Sequence, residues 1–170
     1  MKISNIFNPL IILLLSVFSL SACVANSSNS IESEETKSAV SDQANPILTA
    51  YLQLKDDLVE TNAKKAQKSA EKFVSTLQNA TGDNIETIRS AANTIAKSTN
   101  VEEQRVAFET LSDAFYMYAQ KEDMGVKIYR QYCPMAFDDK GAYWLSTEKK
   151  IMNPYFGDRM LHCGVVKEEF

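Results

Sequence analysis

The stretch Asn45-Pro-Ile-Leu-Thr-Ala-Tyr51-Leu-Gln-Leu-Lys-Asp-Asp-Leu58 decides what kind of fold this chain can have. Asparagine followed by proline is a helix start: the carboxamide accepts a first-turn N–H that has no partner within the helix, and proline lacks the N–H that would go unpaired there. Ile47, Leu48, Tyr51, Leu54 and Leu58 then recur three or four residues apart, which lays one apolar stripe along a helix. Nothing in the stretch breaks it.

Toward the C-terminus the same period repeats. After a weak break at Thr61-Asn62, the residues Ala63, Ala66, Ala70, Phe73, Val74 and Leu77 predict a second helix, whose small alanines suit a close contact with a neighbour. Gly82 is expected to stop it, and Asp83 with Glu86 three residues later has the pattern of a capping box for a third helix carrying Ile85, Ile88, Ala92 and Ile95. Asn100 with Glu103 repeats the device before a fourth run, Val101, Ala107, Phe108, Leu111, Ala114, Phe115 and Tyr118. Four amphipathic helices with such short connections pack most simply as an antiparallel up-and-down bundle.

Past Asp123 the period changes. Val126, Ile128 and Tyr132 lead to Cys133-Pro134, where proline pushes the preceding residue out of the helical region, so extended chain is expected. Asp138 to Gly141 should turn, and Ala142 to Ser146 should return as the second strand of a hairpin. Asn153-Pro154 marks another turn or helix start. The predicted fold is mainly α: an antiparallel four-helix bundle with a small C-terminal α+β lobe, together one domain over residues 45–168.

Toward the N-terminus order gives way to address and tether. Residues 23–44 are rich in Ser, Asn and Glu and cannot bury enough apolar surface to fold, so they are predicted to be a flexible linker reaching on the order of 25 Å. Residues 1–22 read as a signal peptide: Lys2 supplies the positive end, and Leu10 to Leu20 is an apolar core shorter than the roughly 18 to 20 residues that span a bilayer. Leu20-Ser21-Ala22-Cys23 resembles a bacterial lipobox, which implies that Cys23 is acylated and anchors the chain to a membrane; the alternative is an ordinary secretory signal cut after Ala22. Either reading exports the domain to the cell envelope, on a periplasmic or outer-membrane face.

Composition narrows the function. The 170 residues carry 18 basic and 22 acidic side chains, a net charge of -4, and show no basic stripe in sequence, which argues against nucleic acid as a partner. With a single histidine and no evident carboxylate dyad, no set of nucleophile, base and orienting group stands out, so no enzymatic activity is expected.

The unusual chemistry is concentrated in Tyr129 to Gly164, which holds the one Trp (Trp144), the one His (His162), Cys133 and Cys163, and Met135, Met152 and Met160. With Cys23 set aside for lipid, Cys133 and Cys163 form an even pair. In extended chain Cys133 and Met135 would share a face, and in a helical turn Met160 and Cys163 would share another, so two sulfur pairs could converge. Thiolate and thioether together favour Cu(I), or the similar Ag(I), over hard ions. His162 points away from Cys163 in any regular structure and fits a surface or outer-shell role better than ligation. The competing reading is a disulfide between Cys133 and Cys163, which closes a loop of about 30 residues and stabilises the fold by roughly 3 to 4 kcal/mol on the chain-entropy account; spacing alone puts it slightly first. Trp144, Tyr155 and Phe156 read as lobe core rather than a ligand cage, and Asp138 and Asp139 as a solvated turn.

Cys133-Pro-Met-Ala, Gly141-Ala-Tyr-Trp-Leu-Ser, Ile151-Met-Asn-Pro-Tyr-Phe-Gly and Met160-Leu-His-Cys-Gly together resemble the signature of an uncharacterised bacterial domain family found in secreted lipoproteins and fused to CusB-type periplasmic adaptors of heavy-metal efflux pumps. Tyr51-Leu-Gln-Leu-Lys-Asp-Asp-Leu and Arg105-Val-Ala-Phe-Glu-Thr-Leu-Ser are similar to its helix motifs, so the resemblance runs from about Pro46 to Val166. It implies an envelope setting, a role in copper or related metal handling, and a metal-efflux adaptor or metallochaperone as partner. Cys133, Met135, Met160 and Cys163 are the ligands expected from the residue chemistry at those positions. The alternative is a disulfide-stapled envelope interaction domain that binds no metal.

Overall fold

The computed structural model describes residues 45–170; the predicted signal peptide, the Cys23 lipidation site and the tether lie outside the described residues. Four helices come first: α1 (Pro46–Val59), α2 (Ala63–Thr76), α3 (Ile85–Lys97) and α4 (Val101–Ala119). Each packs on the next in the chain, as an up-and-down bundle requires. The expectation of a mainly helical fold is correct. Among the described residues no helix is long and apolar enough to cross a membrane.

The caps at Asn45 and Asn100 were read correctly, and the structure adds one at Asn62, where only a weak break was expected. Asn45 accepts the Ile47 N–H at 2.9 Å with Pro46 just inside α1, and Asn62 accepts the Lys65 N–H at 3.0 Å to start α2 after a left-handed Thr61 (φ 56°). Asn100 caps α4 by accepting the Glu102 N–H at 2.9 Å. Two expectations were wrong. Helix α2 ends at Thr76, with Leu77 as its C-cap, so Gly82 (φ 126°) belongs to the following connection, where its flat face lies against the Tyr118 ring. Asp83 does not cap α3: the residue before the helix is Asn84, in a left-handed conformation and with no side-chain cap. Asp83 instead pairs with Lys121 at 2.6 Å and Glu86 with Arg89, so both carboxylates of the supposed capping box are engaged elsewhere.

The lobe is a three-stranded antiparallel sheet in the order β2-β1-β3, with β1 (Tyr129–Cys133) central, β2 (Ala142–Ser146) its hairpin partner and β3 (Val165–Glu169) on the far side. Register places Cys133 opposite Ala142 and Gln131 opposite Trp144. The hairpin was expected; the third strand was not, because Val165-Val-Lys-Glu-Glu has two apolar residues followed by three charges and no strand period of its own. Between β1 and β2, Phe137, Asp138 and Asp139 form a left-handed turn with φ of 53°, 55° and 65°. Such a conformation costs non-glycine residues on the order of 1 to 2 kcal/mol each. Packing holds it: the Phe137 ring sits 5.3 Å from that of Tyr155, and the Gly141 N–H closes onto the Ala136 carbonyl at 2.9 Å.

Two buried polar side chains tie bundle to lobe. Tyr51 of α1 is fully buried, stacked 4.5 Å from Phe115 and 5.4 Å from Phe108. Its hydroxyl meets Ser112 Oγ at 2.8 Å and accepts the Leu145 N–H of β2 at 3.0 Å, so the bundle satisfies a donor on the edge of the sheet. Burial raises its pKa far above the ordinary tyrosine value. Arg105 of α4, also buried, donates from Nε to the Pro154 carbonyl at 2.8 Å, from one amino group to Glu102 at 2.8 Å, and from the other to the Leu58 carbonyl and Thr61 Oγ1, both at 3.1 Å.

Candidate functional site: a dithiol under a pinned strap

Cys133 ends the central strand, where Pro134 stops the ladder, and is fully buried. Cys163 lies in the connection between the short 3-10 turn Gly157–Met160 and β3, and is partly exposed. Thirty residues apart in sequence, their sulfurs are 3.1 Å apart. Both are free thiols in this structure. The Cys133 sulfur beside it, together with partial burial, pushes the Cys163 thiol above its ordinary pKa.

What holds Cys163 there is Asn153. Its Nδ2 donates to the Cys163 carbonyl at 2.8 Å, its Oδ1 accepts the Tyr155 N–H at 2.8 Å, its N–H donates to the Leu161 carbonyl at 2.8 Å and its carbonyl accepts the Gly157 N–H at 3.0 Å. Every polar group of this fully buried residue therefore has a partner within the strap 151–163. Arg105 fastens the same strap to the bundle through the Pro154 carbonyl. Gly164 then lays the chain across Trp144 with φ 146°; a Cβ there would lie 2.9 Å from the indole and 3.0 Å from the Tyr132 carbonyl. Only glycine fits that passage.

Of the four sulfur residues expected to converge, the structure brings Cys133 and Cys163 together. The shared strand face assumed for Cys133 and Met135 does not form: the strand stops at Cys133, Met135 enters the left-handed turn, and its side chain is 47% exposed whereas Cys133 is fully buried. Met160 ends the 3-10 turn partly buried, and its carbonyl accepts the Cys163 N–H at 3.0 Å. His162 is exposed; its Nδ1 meets the Ile151 carbonyl at 2.9 Å, an acceptor that fixes the proton on Nδ1. Among the described residues no group of three or more His, Cys, Asp or Glu side chains is placed to hold an ion. Trp144 and Tyr155 are buried in the core, their rings 6.0 Å apart, and Asp138 and Asp139 are exposed.

Sequence reading named Asn153 only as part of a turn or helix start and Arg105 only as part of a helix motif. Their real work is done on backbone groups far away in sequence, which no local pattern announces. Open grooves of about 550 and 480 Å³ lie along α3 and α4, lined by Thr87, Ser90, Thr94, Val106 and Thr110 in the first and by Glu109, Asp113, Met117 and Lys140 in the second. Neither includes a residue of the thiol pair or its strap.

Fold and site thus define a helical bundle domain carrying a dithiol in a small appended sheet. Residues 47–125 match the profile of a family described as a protein of unknown function (DUF3347). That span contains α1 to α4 and ends before β1, so the bundle is similar to this family while the thiol lobe lies outside the match. No curated protein and no solved structure matches the chain.

Proposed function

We propose that the domain is a non-enzymatic, envelope-exposed binding or relay module for a soft monovalent metal, Cu(I) or Ag(I), tethered to a membrane through lipid on Cys23 and serving metal efflux or homeostasis. The observation that carries this reading is the 3.1 Å contact between Cys133 and Cys163: two thiols this close in a sheltered site form a soft pair that an ion can bridge after a modest side-chain rotation. Met160, one hydrogen-bonded turn from Cys163, and Met135, exposed beyond Pro134, are the thioethers available to extend the shell or to receive the ion at the surface. Resemblance of the lobe motifs to a family fused to metal-efflux adaptors supports an adaptor or a metallochaperone as partner.

A second reading has its own observation. Complete burial of Cys133, with Met135 facing solvent, suits a disulfide that staples an interaction domain and never touches metal.

Competition titration with a Cu(I) chelator separates the two. Reduced protein should take up about one Cu(I) per chain, more tightly as pH rises, because the raised Cys163 pKa means that the ion must displace a proton and the displacement becomes easier toward alkaline pH. Cys133→Ser with Cys163→Ser should abolish uptake. Uptake unchanged in the double variant, or absent from the reduced wild type, leaves the stapled interaction domain as the function.

A further inference from the structure

We infer that Cys163 is the entry point for thiol–disulfide exchange with an external disulfide or dithiol protein, and that Cys133 is the internal resolving thiol. This rests on the thiol pair named above but needs no metal.

The argument is one of approach. Exchange requires the attacking sulfur, the attacked sulfur and the leaving sulfur to lie nearly in line. Attack on Cys163 Sγ with Cys133 Sγ leaving therefore comes from the side away from Cys133, and Cys163 is the partly exposed member of the pair. Attack on Cys133 Sγ with Cys163 leaving would have to reach a residue with no exposed surface, whose strand partner Ala142 is buried too.

The electrons balance without any further reagent. The Cys163 thiolate attacks one sulfur of the partner disulfide, forming a mixed disulfide and expelling the partner's other sulfur as a thiolate. Cys133, already 3.1 Å away, loses its proton to water and attacks Cys163 Sγ, closing the Cys133–Cys163 bond and releasing the partner's second thiolate. The chain has lost two electrons and the partner has gained them. In reverse, a reduced dithiol partner reopens the bond by attack on Cys163, and Cys133 leaves as a buried thiolate.

The probe is the aromatic disulfide DTNB, added to folded reduced protein and to the two single variants, with helicity checked by circular dichroism. Wild type with Cys23 lipidated or replaced by serine, the same background being used for both variants, should release two thiolate equivalents per chain and end as an internal disulfide with no adduct. Cys133→Ser should stop at one stable adduct on Cys163, and Cys163→Ser should react more slowly by roughly tenfold or more, a difference that denaturant removes. Equal rates for the two folded variants, or two adducts on wild type, would overturn the assignment. If a serine variant does not fold, substoichiometric iodoacetamide on wild type followed by peptide mapping decides the matter: first modification at Cys163 supports it and first modification at Cys133 sinks it. Failure here leaves Cu(I) uptake untouched, and failure of Cu(I) uptake leaves this order of attack standing.

Discussion

In the bundle, Phe73, Phe108 and Phe115 are fully buried side chains with no polar atom to satisfy; in the lobe, Gln131 and Asn153 are buried just as completely, and each works through hydrogen bonds to main chain. The first kind of contact is tolerant, since any apolar group of suitable volume at helical spacing serves nearly as well. The second kind is particular. Gln131 reaches the Glu148 carbonyl at 2.8 Å, and neither a shorter side chain nor one without an amide N–H does the same. The apolar core of the bundle can therefore be written in many sequences, whereas the lobe, like the buried Gln104 and Arg105 of the bundle, depends on individual residues in individual places. That division suits a platform that holds a two-sulfur site at fixed geometry.

The sharpest way to break this contrast is to compare one substitution of each kind. Phe115→Ala removes a ring stacked on Tyr51 at 4.5 Å and edge-on to Phe73 at 6.0 Å, and should cost about 3 to 5 kcal/mol through lost burial and the cavity left behind. Denaturant unfolding monitored by far-ultraviolet circular dichroism measures it, and Phe115→Leu should recover much of the loss because only volume matters there. A leucine variant as unstable as the alanine one would show that the bundle also needs a particular side chain, and the contrast would fall.

Arg105→Met should cost somewhat less, about 3 kcal/mol, by leaving the Pro154 carbonyl without a donor and taking one donor from the Leu58 carbonyl, which keeps the Thr61 N–H. Methionine keeps most of the side-chain volume, so here volume should not rescue. Burial lowers the Arg105 pKa, and Arg105→Lys should fail too, because an ammonium cannot reproduce the planar fork that reaches Pro154, Glu102 and Leu58 together. The telling readout is local. Fluorescence of Trp144, which packs with the strap near Gly164, should shift at denaturant concentrations below the loss of helix in Arg105→Met, since the strap loses its fastening while the four helices keep their core. Coincident transitions would mean that the strap is held by something other than Arg105.

The contrast also accounts for what could be read from the sequence. Every bundle helix announced itself through apolar residues three and four apart, because a helix face is a periodic object and burial selects on period. The β1–β2 hairpin was legible from Cys133-Pro134 and the turn residues Asp138 to Gly141. Strand β3 was not: it earns its place as an edge partner of β1, with Gln131 opposite Val166, and a pairing preference of that kind resides in the partner and not in the strand. At the site, pairing Cys133 with Cys163 followed from counting sulfurs, whereas expecting Met135 beside Cys133 assumed that extended chain continued through Pro134. The turn that follows, with Phe137 left-handed, breaks the alternation on which that expectation depended.

The smallest effect tests legibility within the bundle itself, where two asparagine or aspartate signals looked alike and one was misleading. Asn100 accepts the N–H groups of Glu102 at 2.9 Å and Glu103 at 3.5 Å, while Ser98 Oγ bridges from the Asn100 N–H at 3.1 Å to Glu103 at 2.7 Å, so the reciprocal cap is completed through a third residue. Asn100→Ala should therefore cost about 1 kcal/mol. Asp83, fully exposed and occupied with Lys121, caps nothing. Its carboxylate is held below the ordinary pKa by that lysine, so any contribution it makes is present at neutral pH and is lost as pH falls through its folded pKa, and salt should screen it. Asp83→Ala should leave the melting temperature unchanged in moderate salt, where Asn100→Ala lowers it measurably. Equal losses from the two would mean that Asp83 does cap α3 in solution, and that the local pattern of Asp83 with Glu86 was the better guide.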